Sequence, residues 1–188
     1  MIKIILSLIL GYIFGSIPFA IVVSSMKGIN IMNVGTKNPG AANVYREVGK
    51  FYGILVWLLD TIKAVIPMLF SKFLLNLHPF FIGLSGIAAL SGHCWSLFLK
   101  FKGGKGVSTA GGILLFLFPK FFPFSLILYF ITRKAPRNIY LVLSIFFLGI
   151  LIAFMFYKES LKWVIPFFII FLSVGALANI ETIKELKR

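Results

Sequence analysis

Acidic residues are scarce in this chain: five Asp and Glu stand against 19 Lys and Arg in 188 residues. The only aspartate is Asp60, so the clustered aspartates that a metal-dependent phospholipid synthase carries on its helices are excluded. The four glutamates (Glu47, Glu159, Glu181 and Glu185) fall in loops or the tail, and no nucleophile–base–acid triad can be assembled from them. Cysteine is limited to Cys94, which rules out an intrachain disulfide, and Cys94 reads as a small buried apolar residue. Histidine is limited to His78 and His93, so a Cys/His metal cluster is excluded and no metal is expected. A His with Asp five residues later, as in soluble-type acyltransferases, is also missing: those places hold Gly83 and Phe98. Charged residues make up only 13% of the chain, against about 25% in a soluble domain. Internal repeats, low-complexity tracts and a second polar block are absent, so residues 1–188 read as a single membrane-embedded domain.

What is abundant is apolar: 60% of residues are hydrophobic and 22 are Phe. A helix crossing the bilayer needs roughly 20 apolar residues. The sequence predicts spans at about Ile4–Ser25, Tyr52–Phe70, Pro79–Leu99, Ile139–Tyr157 and Trp163–Ala178. Between Val107 and Thr132, Pro119-Lys120 divides an apolar run into two short halves, read as a helical hairpin. The expected architecture is therefore an all-α polytopic membrane protein of about seven transmembrane helices, two of them short; a single kinked helix or a re-entrant pair would give five or six. With the N-terminus outside and seven crossings, thirteen Lys and Arg lie inside and five outside, as the positive-inside rule demands. Both polar loop segments and the C-terminus are then cytoplasmic. A net charge of +14 would suggest nucleic acid in a soluble chain; here the bases lie between apolar runs, and anionic lipid headgroups or anionic substrates are the expected partners. Asp60 and Lys63, three residues apart in the second span, share one helix face. They form either a functional intramembrane pair or a mutually neutralising pair that fixes packing.

Two glycine-containing polar segments interrupt the apolar pattern. The first runs from Gly35 to Arg46 and holds Thr36, Asn38, Gly40 and Asn43, with a turn signal at Asn38-Pro39-Gly40. Its hydroxyl and amides offer neutral hydrogen bonds, and Arg46 can grip phosphate bidentately. The second runs from Lys100 to Gly106, with Lys102 and Lys105 among Gly103, Gly104 and Gly106. Those glycines can adopt positive φ and let a ligand approach the backbone, so successive N–H groups around Lys105 would form an anion cradle at the start of the next helix. It is not a Walker P-loop, because Leu99 and Gly106 occupy the places of a required Gly and Ser/Thr. Read blandly, the first segment is a structured turn and the second a basic turn on headgroups. His93, after Gly92, either binds phosphate and moves a proton or is structural; His78 reads as an outer-surface residue without a partner. Asn179 ends the last span and either reaches the same cavity or caps its helix.

Together, Gly15-Ser16-Ile17-Pro18-Phe19-Ala20, Gly35–Arg46, Gly92-His93 and Lys100–Thr109 resemble the bacterial acyl-phosphate:glycerol-3-phosphate acyltransferases, the PlsY family, over nearly the whole chain. The resemblance implies a seven-helix enzyme of the bacterial inner membrane with three cytoplasmic motifs. It implies transfer of a fatty acyl group from acyl phosphate to the 1-hydroxyl of glycerol 3-phosphate, giving lysophosphatidic acid and phosphate. No metal, acyl-CoA or other cofactor is implied, and a separate phosphate acyltransferase would supply the donor. By position, Thr36, Arg46 and Lys105 match essential residues, Gly103, Gly104 and Gly106 the phosphate loop, and Asn179 the third motif. The chain departs from the family pattern at Ala42, Ser96 and Ala176, which stand where threonine, proline and histidine are usual. The competing readings are a small organophosphate transporter and an inactive lipid-phosphate-binding homologue.

Overall fold

Proline punctuates the chain. The computed structural model describes residues 1–120 and 161–180, and these are helical apart from turns and one isolated bridge between Ser96 and Lys102. Helix α1 (Ile2–Ser16) stops at Ile17, held extended ahead of Pro18, and α2 (Phe19–Ser25) restarts beyond it. The proline ring excludes helical geometry from the preceding residue, which explains the break in the first apolar run. A short α3 (Ala41–Glu47) leads into α4 (Lys50–Phe73), α5 (Pro79–Cys94), a 3₁₀ turn (Leu97–Leu99), α6 (Val107–Leu117) and, later, α7 (Leu161–Ala178). The expected span starting at Pro79 is thus shorter than the sequence suggests: helix gives way at Trp95, and the basic loop begins before Leu99.

Three of these segments are long and apolar enough to cross a membrane: Ile2–Ser25, Lys50–Phe73 and Leu161–Ala178, with mean hydropathies of 2.2, 1.8 and 2.1. Helix α6 ends at Leu117, just before Pro119, as the proline signal predicts. The second half of the expected 107–132 hairpin and the Ile139–Tyr157 span lie outside the described residues. On α4 the pattern of a soluble helix is reversed. Ile54, Trp57, Leu58, Ile62 and Leu69 are exposed, while Asp60, Lys63 and Pro67 are buried. Apolar outside with polar inside is the arrangement lipid favours.

Small residues bring α1 and α5 into backbone contact. Gly11 and Gly15 lie one turn apart on α1, and a side chain on either would collide with the Ser85 or Ala89 carbonyl of α5. Gly92 on α5 is reciprocally close to the Tyr12 carbonyl. Such close approach drives helix association in lipid, where burying leucine against leucine gains nothing over leucine against acyl chains. Ser7 Oγ and Ser71 Oγ, 2.7 Å apart, add a hydrogen bond from α1 to α4, and Ser85 Oγ donates to the Ser7 carbonyl at 3.1 Å. Gly15→Val is expected to destabilise the fold by about 3 kcal/mol or more, because backbone cannot yield as side chains do. Thermal unfolding in detergent measures this, and an unchanged melting temperature would refute the contact.

The core has two parts. Phe118, Phe167, Phe168 and Phe171 stack with Met68, Ile82 and Ile113 between α4, α5, α6 and α7. A smaller cluster of Ala20, Val23, Ile31, Val44 and Val56 joins α2, α3 and α4. His78, expected to be partnerless, instead caps α5: its Nδ1 accepts the Phe80 N–H at 3.2 Å, and its ring meets Trp163 edge-on. Pro79 at the first helical position makes that cap local and geometrically easy.

Candidate functional site

The loop between α2 and α3 is organised by one amide. Asn43 is 1% exposed. Its Nδ2 donates to the carbonyls of Ile31 (3.3 Å) and Val34 (3.1 Å), and its Oδ1 accepts the Thr36 N–H at 3.0 Å. Expected to face a ligand, Asn43 instead has its hydrogen-bonding capacity engaged by its own loop. Gly35 is required beside it, with φ of 56° and no room for a side chain next to Asn43 Oδ1 and Glu47. The loop so fixed leaves Thr36 exposed and Asn38 and Gly40 half-buried, and places Arg46 exposed in the last turn of α3. Lys27, where the loop begins, has its pKa raised by a hydrogen bond with the Tyr52 hydroxyl and remains a cation.

The second loop is equally fixed. Tyr12 donates its hydroxyl to the Trp95 carbonyl at 2.7 Å, and Ser96 Oγ donates to the Ser16 carbonyl at 2.6 Å. The Ser96 N–H donates to the Lys102 carbonyl and the Phe101 N–H to the Ser96 carbonyl, closing the turn that carries Lys100 and Lys102. Lys100 and Phe101 both take positive φ, at 53° and 60°. Of the three glycines expected to use left-handed backbone, only Gly106 does, with φ of 79° at the start of α6. Gly103 and Gly104 are glycine because of space. A methyl group on Gly103 would strike the His93 carbonyl, and one on Gly104 would strike His93 Nε2 and come within 3.2 Å of the Pro39 carbonyl. The Gly104 N–H donates back to the His93 carbonyl at 3.1 Å.

These contacts bring the sequence motifs together. Pro39 of the first loop meets Gly104 of the second, and Asn179, at the end of α7, donates its Nδ2 to the Lys105 carbonyl at 3.3 Å and to Gly175 at 2.9 Å. Asn179 therefore closes its own helix and also holds the glycine loop, and it does not line the cleft described below. The Lys102 and Lys105 side chains are exposed beside this junction. Where Pro39, His93, Gly103 and Gly104 converge there is a small open cleft, lined on its buried side by Asp60 and Lys63.

Asp60 and Lys63 are site residues that sequence reasoning leaves undecided. Lys63 Nζ lies 2.8 Å from Asp60 Oδ1 and donates to the Ile17 carbonyl at 3.0 Å, beside the break that Pro18 creates. His93 Nδ1 lies 3.6 Å from the same carboxylate oxygen. The signal was present, since charges inside a span are functional candidates by default; the partner, His93 on another helix, was not visible in one-dimensional spacing.

The fold and site define an all-helical integral membrane protein in which two polar loops and the end of the last helix meet beside a cleft lined by buried polar groups. A family model described as Glycerol-3-phosphate acyltransferase matches residues 5–188, and the chain belongs to that family. A glycerol-3-phosphate acyltransferase of Thermosipho melanesiensis is 42% identical over 113 residues, covering 60% of this chain and 55% of that protein's length. The chain thus spans little more than half the length of that relative. Two crystal structures of PlsY, an integral membrane glycerol 3-phosphate acyltransferase, share the fold. The glycerol 3-phosphate form has a TM-score of 0.77 at 33% identity, and the lysophosphatidic acid form 0.75 at 32%. Each comparison covers 97% of this chain and 91% of that one.

Proposed function

We propose that this protein transfers a fatty acyl group from acyl phosphate to the 1-hydroxyl of glycerol 3-phosphate, releasing lysophosphatidic acid and inorganic phosphate. The reaction takes place at the cytoplasmic face of a bacterial inner membrane, with the N-terminus outside and the C-terminus cytoplasmic. A separate phosphate acyltransferase supplies the donor. The observation that carries this reading is the convergence of three distant stretches, through Pro39 on Gly104 and Asn179 on Lys105. The exposed side chains of Lys102 and Lys105 stand beside that junction, where two anionic substrates would have to meet, and PlsY itself is known in a glycerol 3-phosphate form and a lysophosphatidic acid form.

Lys105, Arg46, Lys102 and the glycine loop neutralise the two phosphoryl groups, with the hydroxyl of Thr36 as a further partner. Glycerol 3-phosphate is thereby held with its 1-hydroxyl oxygen against the acyl carbonyl carbon, and positioning accounts for much of the rate. Attack forms the new C–O bond and a tetrahedral oxyanion, which nearby donors stabilise. The bond from that carbon to the phosphate oxygen then breaks, and phosphate leaves with the electron pair. Phosphate is a good leaving group, so no protein nucleophile is needed. The hydroxyl proton passes to a substrate phosphate oxygen.

Purified protein incubated with acyl phosphate and labelled glycerol 3-phosphate tests the reading. Labelled lysophosphatidic acid, formed only when both substrates are present and with stoichiometric phosphate, is the expected result. Counter-movement of phosphate compounds across sealed vesicles without transfer would identify a transporter instead. Binding without phosphate release would identify an inactive homologue.

A further inference from the structure

The mechanism above makes no use of Asp60 or Lys63, although both line the buried side of the cleft. Lys63 has an evident role. It neutralises Asp60 and donates to the Ile17 carbonyl at the α1–α2 break. Neutralising Lys63 gives Asp60 no reason to face a histidine as well. Yet His93, on α5, turns Nδ1 towards Asp60 Oδ1 at 3.6 Å, and all three side chains are at most 7% exposed. The two imidazole nitrogens lie on different sides of a rigid ring, so a partner for one sets the direction of the other. The other nitrogen, Nε2, is directed at Gly104, where any side chain would collide with it. The ring therefore spans from the buried carboxylate of α4 to the backbone of the glycine loop.

We propose that Asp60 is a positioning residue, holding the His93 imidazole through Nδ1 so that Nε2 binds the phosphoryl group seated on the Gly103-Gly104 loop. The inference rests on the anion-binding reading of that loop and deepens it by giving the buried acid a role in substrate affinity. Acyl phosphate and glycerol 3-phosphate share the phosphoryl chemistry that Nε2 would recognise. Lys63 pairs with the acid at 2.8 Å within the span, and the arrangement follows the general logic in which a buried carboxylate orients an imidazole.

Side-chain amides separate the two nitrogens of the ring. The amide nitrogen of Asn falls near imidazole Nδ1, and that of Gln near imidazole Nε2. His93→Gln and His93→Asn are therefore compared with wild type, together with the charge-neutral double variant Asp60→Leu/Lys63→Met. One readout is the rise in melting temperature of the purified protein on adding inorganic phosphate or, separately, glycerol 3-phosphate. The other is kcat and KM in proteoliposomes, with each substrate varied in turn, which tells which phosphoryl group the ring serves. His93→Gln, which keeps a donor at the Nε2 position but loses the hold by Asp60, is expected to keep a reduced ligand-induced rise and to raise KM for one substrate roughly 3- to 10-fold, the value of one ordinary hydrogen bond. His93→Asn should lose the rise and raise KM for one substrate roughly 10- to 100-fold, the value of one hydrogen bond to a charged group, with kcat changed less. The double variant, which likewise keeps Nε2 and loses the hold on Nδ1, should behave as His93→Gln does.

His93→Asn performing as well as His93→Gln would mean that the ring only satisfies Asp60, and would overturn the proposal. So would a double variant with wild-type KM and a full ligand-induced rise, or a wild-type protein that neither anion stabilises. Should the double variant not fold, Asp60→Asn/Lys63→Met replaces it: its amide oxygen can still accept from Nδ1–H, so it should keep the full ligand-induced rise, and loss of the rise would overturn the proposal. The readouts also keep this inference separate from the reaction: wild-type protein that responds to anions in the expected order, yet transfers no acyl group, would reject the reaction and leave the positioning role standing.

Discussion

Lys105→Ala is expected to lower acyl transfer in proteoliposomes by at least about 100-fold while leaving the folded protein intact. The magnitude is that of removing one preorganised donor aimed at charge developing in a transition state, roughly 10²- to 10³-fold. Lys105 lies between Gly104 and Gly106, its carbonyl held by Asn179 at 3.3 Å. The loop's backbone is therefore fixed by contacts that do not involve the ammonium group. Because the side chain is exposed, its removal should change stability by no more than about 0.5 kcal/mol. A loss of rate then reports chemistry alone. Initial rates at saturating donor, paired with a melting curve in the same detergent, make the comparison. Rates within a few-fold of wild type would remove Lys105 from the site.

Lys63→Met has the second large expected effect, and it falls on stability. In the native protein Asp60 is 2% exposed, with Lys63 at 2.8 Å. Removing the ammonium leaves a buried carboxylate facing only His93, and deprives the Ile17 carbonyl of its donor where Pro18 has already interrupted the helix. Breaking one side of a buried pair costs about 3–5 kcal/mol, a large share of a total stability of about 5–15 kcal/mol. The expected outcome is little monodisperse protein after extraction and a sharply lowered melting temperature. The neutral pair Asp60→Leu/Lys63→Met should recover most of that stability, because replacing a buried ion pair by apolar side chains of similar size is often close to neutral. A single Lys63→Met variant as stable as wild type would show that the pair does not carry the charge balance of α4.

The same two predictions mark what could be read before any fold was known. Lys105 could be chosen from its neighbours in the chain, because a lysine among glycines describes its own chemistry. Lys63 could not be understood that way. Its partner Asp60 is local, but the groups that give the pair meaning, the Ile17 carbonyl and His93, sit on other elements. Asn43 shows the opposite displacement. Between Gly40 and Arg46 it reads as a ligand-facing amide, whereas its hydrogen bonds go to the carbonyls of Ile31 and Val34 and the N–H of Thr36. Gly103 and Gly104 are explained by the crowding of His93 and Pro39 rather than by left-handed backbone, which only Gly106 adopts. His78, without an evident partner in the sequence, finds one two residues away once Pro79 starts its helix.

The amino-acid sequence by itself determined that this is a helical protein of the membrane, where the apolar run from Val107 is cut, and which loops carry the cations. Those properties follow from local physics: the length of an apolar run, the ring of a proline, and the charge of side chains that lipid will not accept. Tertiary structure alone decided that α1 and α5 touch through Gly11, Gly15 and Gly92, that Pro39 rests on Gly104, and that Asp60 meets His93. Such meetings depend on helix packing between residues far apart in the chain, and no pattern of spacing along one strand of sequence encodes the direction in which a buried ring will turn.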